Sequence, residues 1–247
     1  MGPPRRPMSG LPLVQLLPNL MTLAALVAGL SAMRMVLLGR VEVAVGLILL
    51  AALLDGLDGR IARALNSESA LGAELDSFAD FLNFGVAPAF VLFLASFDPA
   101  SGPGWLAMLA YSLCCVLRLA RFNIGQRAEP DPDAPPKDGF SGVPSPAGAI
   151  LVMAPVYLSQ AMDMALPAWL VAVHAVTVGV MMILPLPTPS FKRLSVPPGA
   201  VRVLLLGLSL VGVAVVIWPW VSLLVVSMAY LVRVLAGWVI YLRRERV

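Results

Sequence analysis

The stretch Asp55-Gly56-Leu57-Asp58-Gly59-Arg60-Ile61-Ala62-Arg63, followed by Gly72, Asp76 and Asp80, sets carboxylates and glycines inside apolar sequence. Asp55 and Asp58 are spaced i, i+3 and Ala62 follows four residues later, so on an α-helix they share one face. Gly72, Asp76 and Asp80 recur at i, i+4, i+8 and share a face of the next helix. A short hairpin near residues 64–69 would point all four carboxylates at one another.

The sequence on either side of this stretch decides what solvent those helices meet. The chain's 247 residues are 60% hydrophobic and 13% charged, with a mean hydropathy of +0.90, whereas a soluble domain carries roughly a quarter charged residues. Apolar segments fall at about 18–38, 41–66, 70–97, 104–126, 144–162, 166–186, 199–217 and 220–242. Each approaches the roughly 20 residues that a helix needs to cross a hydrocarbon layer about 30 Å thick. The expected fold is therefore all-α: a polytopic integral membrane protein of about eight transmembrane helices, residues 1–247 forming a single transmembrane domain. Only the breaks at 126–139 and 187–198 are long enough to be substantial loops. Cys114 and Cys115 are adjacent in an apolar run and read as small packing residues, not as a disulfide framework or zinc site. His174, the one histidine, reads as a packed or interfacial group. Residues 1–17, Pro/Arg-rich at Met1 to Pro7 and without a clear cleavage site, read as an uncleaved cytoplasmic leader.

The basic residues orient the chain, because Lys and Arg are retained on the cytoplasmic side of short loops. Arg5 and Arg6, Arg60 and Arg63, Arg118, Arg121, Arg127 and Lys137, Lys192, Arg193 and Arg202, and Arg243, Arg244 and Arg246 all fall on one side of an eight-span arrangement. The opposite loops around 98–103, 163–165 and 218–219 contain no Lys or Arg, and only Arg34 and Arg40 depart from the pattern. Both termini are then cytoplasmic, in an inner (cytoplasmic) membrane, with the acids toward that face. Trp105, Trp169, Trp218 and Trp220 fall near the outer ends of spans, as an interfacial belt would.

In such a setting the four acids are costly. A carboxylate at the centre of a membrane helix costs about 2.5–3.5 kcal/mol on insertion scales, and four together also repel one another. Hard divalent cations bound by carboxylate oxygens offset both penalties. Gly56, Gly59, Ala62 and Gly72 lie beside the acids; small residues favour close helix packing, and here they also clear space for a phosphorylated ligand.

The spacing Asp-x2-Asp-Gly-x2-Ala-Arg-x8-Gly-x3-Asp-x3-Asp resembles, without a mismatch, the signature of the CDP-alcohol phosphotransferases. The resemblance implies that fold, and a reaction in which an alcohol attacks the diphosphate of a CDP-linked lipid and CMP leaves. It implies residues 18–186 as a catalytic six-helix core, with residues 199–242 adding two C-terminal transmembrane helices. It makes Asp55, Asp58 and Asp76 metal ligands, and Asp80 a further ligand or the general base. Gly59, Ala62 and Arg63 would line the CDP site, together with Gly72, Asp58, Asn19 and Thr22. Mg2+ or Mn2+, as two ions, is the implied cofactor; a pair about 3.5–4 Å apart neutralises a diphosphate and its leaving oxygen. Asp80, last on its stripe and one turn deeper than Asp76, is the candidate base for a neutral hydroxyl.

Four further segments resemble the membrane-integral phosphatidylserine synthase branch of that family: Pro18-Asn19-Leu20-Met21-Thr22, Asn83-Phe84-Gly85-Val86-Ala87-Pro88-Ala89, Leu117-Arg118-Leu119-Ala120-Arg121-Phe122-Asn123 and Gly142-Val143-Pro144-Ser145-Pro146-Ala147-Gly148-Ala149. Pro189-Ser190-Phe191-Lys192 is a weaker match, and Asn83 stands where many members have Ser. The branch implies CDP-diacylglycerol and L-serine as substrates among the membrane lipids, and a homodimer; no nucleic-acid partner is expected. Asn19 and Thr22 could instead cap the first helix, and Arg118 and Arg121 could snorkel to the interface. An Arg fork also matches the carboxylate that distinguishes serine, so Arg118 or Arg121, with Asn83, Asn123 and Ser145, are candidates for recognising serine or lipid phosphate. Another acceptor (glycerol 3-phosphate, inositol phosphate or choline) would use the same chemistry. Intramembrane acids also suit a divalent-cation transporter, against which stands their confinement to one hairpin.

Overall fold

The computed structural model describes residues 16–127, 140–185, 187–188 and 201–244. The leader through residue 15, the basic residues Lys137, Lys192, Arg193 and Arg246, and the Pro189–Lys192 match lie outside the described residues.

The described chain is helical in every segment expected to be so. α1 (Leu17–Leu37) carries Pro18 in its first turn, where no N–H is required, and ends at Gly39 with φ +72°. α2 (Val41–Ala64) is followed by Asn66 at φ +49°. Ser69 caps α3 (Ala70–Asp80), its Oγ accepting from the Gly72 amide at 3.0 Å. α3 runs through a π-helical turn (Phe81–Val86) into α4 (Ala87–Ser96). Next come α5 (Gly102–Arg127), α6 (Ser145–Val152), α7 (Ala154–Met162), α8 (Ala168–Ile183), α9 (Val201–Ile217) and α10 (Pro219–Arg244). One two-residue antiparallel ladder departs from the all-α expectation: β1 (Phe140–Ser141) pairs with β2 (Pro187–Thr188).

The segment expected at 144–162 is two helices, α6 and α7, broken at Met153. Pro155 has no N–H for the Leu151 carbonyl four residues earlier; His174 Nε2 donates to that oxygen from α8 at 2.8 Å. The π turn is served in the same way. Pro88 leaves the Phe84 carbonyl without its helical donor, and the Tyr111 hydroxyl on α5 donates to it at 2.8 Å, while Ser112 donates to the Gly85 carbonyl at 3.0 Å. His174 is thus a packed residue with a definite task.

The core gathers Ile48, Phe84, Val91, Tyr111, Leu151, Tyr157 and Met182, all buried. Cys115 packs where Gly85 leaves room and Cys114 where Gly179 does, the two thiols serving as small core groups. The outward faces are equally apolar, with Leu20, Val27, Leu113, Trp169 and Val173 exposed. Helices apolar on both faces belong in a membrane. Among the described residues, four stretches are long and apolar enough to cross one, within Leu17–Leu37, Ala70–Ser96, Gly102–Gly125 and Pro219–Arg243. α2 has the length but carries Glu42, Asp55, Asp58, Arg60 and Arg63. Trp169 and Trp218 are exposed as an interfacial belt requires, whereas Trp220 turns inward against Tyr157, ring centroids 6.5 Å apart.

What positions the site is the arrangement of the first three helices. α1 packs along α2 and also against α3, while α2 and α3 make few contacts with each other. The divergence of α2 from α3 leaves a cleft that α1 closes from behind.

Candidate active site

That cleft has a volume of about 360 Å³. α1 contributes Pro18, Asn19 and Thr22, α2 contributes Asp58, Gly59, Ala62 and Arg63, and α3 contributes Gly72, Ala73 and Asp76. All seven residues expected around a CDP or diphosphate group therefore meet on one surface. At Gly72 the absence of a side chain admits Asn19, whose Oδ1 would stand 2.8 Å from a Cβ placed there. Gly56, by contrast, faces open space and takes no part in the cleft.

Beyond Asp76 the cleft meets a carboxylate cluster. Asp55, Asp76 and Asp80 each bring an oxygen within 4.8 Å of the others, Asp76 exposed to the cleft and the other two half-buried. Asp55 Oδ1 is buried and has no hydrogen-bond partner among the described residues. An orphaned carboxylate oxygen facing two further carboxylates is the donor set of a hard divalent cation, so these residues fit one. Asp58 stands beside the three, near enough to act electrostatically on Asp55 and Asp76. It is buried, and the Thr22 hydroxyl donates to its Oδ2 at 2.5 Å, tying α1 to α2. Thr22 is therefore an interhelical clamp and not a helix cap; nor does Asn19 cap α1, whose N-cap position is Leu16 with no side-chain cap.

On the far side of Asp80 stands Arg118 of α5, a buried guanidinium that interacts electrostatically with that acid. Arg118 Nε donates to the Val143 carbonyl at 2.6 Å and Nη1 to Ser145 Oγ at 2.8 Å. The loop reaches this position because Gly142 adopts φ +75° and lies so close to the Met182 carbonyl that a Cβ would overlap it.

Residues 15–184 match the CDP-alcohol phosphatidyltransferase family. The chain belongs to that family. Its relatives include the CDP-diacylglycerol–serine O-phosphatidyltransferase of Mycobacterium leprae (strain TN), 38% identical over 225 residues that cover 90% of this chain and 74% of that protein. The enzyme of the same name from Bacillus subtilis (strain 168) is 38% identical over 138 residues, 56% of this chain and 73% of that one. That of Methanocaldococcus jannaschii is 41% identical over 107 residues, 43% of this chain and 47% of that one.

Within this CDP-alcohol phosphatidyltransferase the five residues expected around the acceptor are divided. Arg118 and Ser145 are bonded to each other. Arg121 is exposed and donates through Nη1 to the Ile183 carbonyl at 2.9 Å, closing the C-terminus of α8. Asn123 Nδ2 donates to Ser77 Oγ at 3.0 Å, bracing α3 between its two acids. Asn83 is fully buried against α1, where Gly29 makes room for it, and neither side-chain atom has a partner among the described residues. Ser67, Glu68 and Ser69 also line the cleft. Glu68 is solvent-exposed there, and Ser69 three residues before Gly72 is a helix-start pattern recognisable in the sequence.

Proposed function

We propose that the chain transfers the phosphatidyl group of CDP-diacylglycerol to the hydroxyl of L-serine, giving phosphatidylserine and CMP. The observation that carries this reading is the convergence of the signature residues on one cleft that ends at Asp55, Asp76 and Asp80. The serine specificity is supported by the names of the relatives above.

The diphosphate of the donor lies in the cleft, beside Gly72 in the first turn of α3 and near Arg63. Gly59 and Ala62 leave the nucleotide side open. Asp55, Asp58, Asp76 and Asp80 would hold the Mg2+ or Mn2+ ions, two by the signature, and the chemistry these would supply is neutralisation of the diphosphate and of the departing phosphate. The serine oxygen forms a bond to the lipid-side phosphorus as the bond to CMP breaks; CMP leaves with the electron pair, and Asp80 takes the hydroxyl proton. Arg118, its plane held by Val143 and Ser145, pairs with the serine carboxylate. With its carboxylate bound there, the serine hydroxyl is carried to Asp80.

The eight helical segments cross the membrane with both termini cytoplasmic and the reaction near the cytoplasmic face of the inner membrane. Residues 1–17 form the leader, 18–186 the catalytic core and 199–242 two added helices, and the protein acts as a homodimer. Reporter fusions at 98–103, 163–165 and 218–219 should report the outer side, and crosslinking in native membranes a dimer. The enzymatic test is product identification with purified full-length protein, CDP-diacylglycerol and Mg2+ or Mn2+, across serine, glycerol 3-phosphate, inositol phosphate and choline. CMP and phosphatidylserine are expected with serine alone. Preference for a phosphorylated acceptor overturns the serine assignment, and no CMP with any acceptor overturns the transfer.

A further inference from the structure

A cavity of about 530 Å³, larger than the acid cleft, lies between α6 and α10. Pro146, Ala147 and Ile150 form one wall, Val226 and Ala229 the other, and the polar groups Tyr230 and Arg233 are gathered toward one end. The two walls run in opposite directions. Trp220, near the start of α10, stacks on Tyr157 of α7, whereas Arg233, further along α10, shares the cavity with Pro146 at the start of α6. The Arg233 end is therefore the end nearest Ser145, which Arg118 holds. Pro146 of the cavity wall follows directly on Ser145, so the end of the cavity that carries Tyr230 and Arg233 adjoins the Arg118 anchor. From Arg233 to Val226 is two helical turns, roughly 10 Å of apolar wall.

We propose that this cavity receives one fatty acyl chain of the CDP-diacylglycerol donor, its glycerol end at Tyr230 and Arg233 and its tail along Ile150, Val226 and Ala229. The inference rests on the proposed transfer reaction and extends it to the donor's tail. A phosphorus reacting beside Asp80 and Arg118 is only a few bonds from the glycerol carbons, so an acyl chain must begin close to that point. The cavity opens one residue from the Ser145 anchor, is apolar along its length, and presents a cation where a lipid phosphate passes. Its α10 wall lies beyond the family match at residues 15–184, so the signature does not dictate it. Leaving the bilayer for this cavity gains no hydrophobic free energy, because lipid tails are as apolar as its walls. Its effect is placement, and it should appear as donor discrimination.

The test uses full-length protein in nanodiscs and compares dioleoyl with dibutyryl CDP-diacylglycerol. Filling the cavity with Ala229→Trp should raise KM for the dioleoyl donor, relative to that for the dibutyryl donor, about tenfold. Equal KM changes for the two donors, or none, overturn the proposal. A dioleoyl-type donor with a diazirine on its acyl chain should label α6 and α10 of the wild-type protein, and unlabelled CDP-diacylglycerol should compete where phosphatidylcholine does not. Labelling confined to other helices, or competed equally by phosphatidylcholine, also overturns it. Ala229→Leu replaces the Trp variant if that one does not fold. A wild-type protein that releases no CMP refutes the transfer reaction, and the labelling pattern decides the cavity's occupant independently.

Discussion

The acid cleft and the Arg118 cluster meet at Asp80 yet are assembled from the chain in opposite ways. The cleft is built mainly from one stretch, residues 55–80, whose side chains are placed by helical periodicity and one tight turn. The Arg118 cluster joins α5, the loop at Gly142 and Val143, and the first residue of α6 through hydrogen bonds spanning 25 and 27 residues. Local periodicity thus suffices to build the cleft. The Arg118 cluster, to which the proposed function gives the acceptor, requires contacts between distant segments.

The largest effect expected on the cleft side is that of Asp76→Asn or Asp55→Asn, each lowering CMP release by at least about 1,000-fold while the protein remains monodisperse. Near-normal turnover in either variant would remove that carboxylate from the metal site. Chelation with EDTA should abolish activity in the unmodified protein and Mg2+ or Mn2+ restore it.

On the acceptor side, Arg118→Lys keeps the charge and loses the fork, so KM for serine should rise about 10- to 100-fold with donor KM little changed. Arg121→Lys provides the contrast, since its guanidinium closes α8; an equal serine effect in both variants would erase the distinction between them. The Asp58 clamp sits between these extremes. Thr22→Val removes a hydroxyl donor from a buried carboxylate and should cost about tenfold in kcat/KM, read as a weaker response to metal. The smallest change is expected for Asn123→Ala, which releases a brace on Ser77 but touches no substrate; a loss of only about threefold is expected in steady-state assays. A collapse of activity there would mean that α3 depends on α5 as heavily as the Arg118 cluster does, and the contrast between the two sides would fail.

Spacing placed Asp55, Asp58 and Ala62 on one helix face and Gly72, Asp76 and Asp80 on another, and the family resemblance added the rest of the residues expected around the CDP group. Asn19, Thr22, Asp58, Gly59, Ala62, Arg63 and Gly72 all arrive on the same surface. Spacing does not reveal the partner of a side chain that can choose among several. Asp58, grouped with the other acids by periodicity, turns to Thr22; Asn123 turns to Ser77, and Arg121 to a carbonyl 62 residues away. Nor does it show that Pro88 and Pro155 would leave carbonyls for Tyr111 and His174 to satisfy across a helix interface.

From its sequence alone, this protein's helices, their apolar surroundings and the acid stripes were determined, since each depends on residues within a few turns of one another. Tertiary structure alone decided that Asp58 takes its hydrogen bond from Thr22 while Asp55, Asp76 and Asp80 draw together, that Arg118 rather than Arg121 stands beside Asp80, and that α6 and α10 leave a cavity next to it. Those outcomes depend on how far neighbouring helices diverge. That divergence is set by the packing of small residues and the satisfaction of buried polar groups between segments remote in the chain.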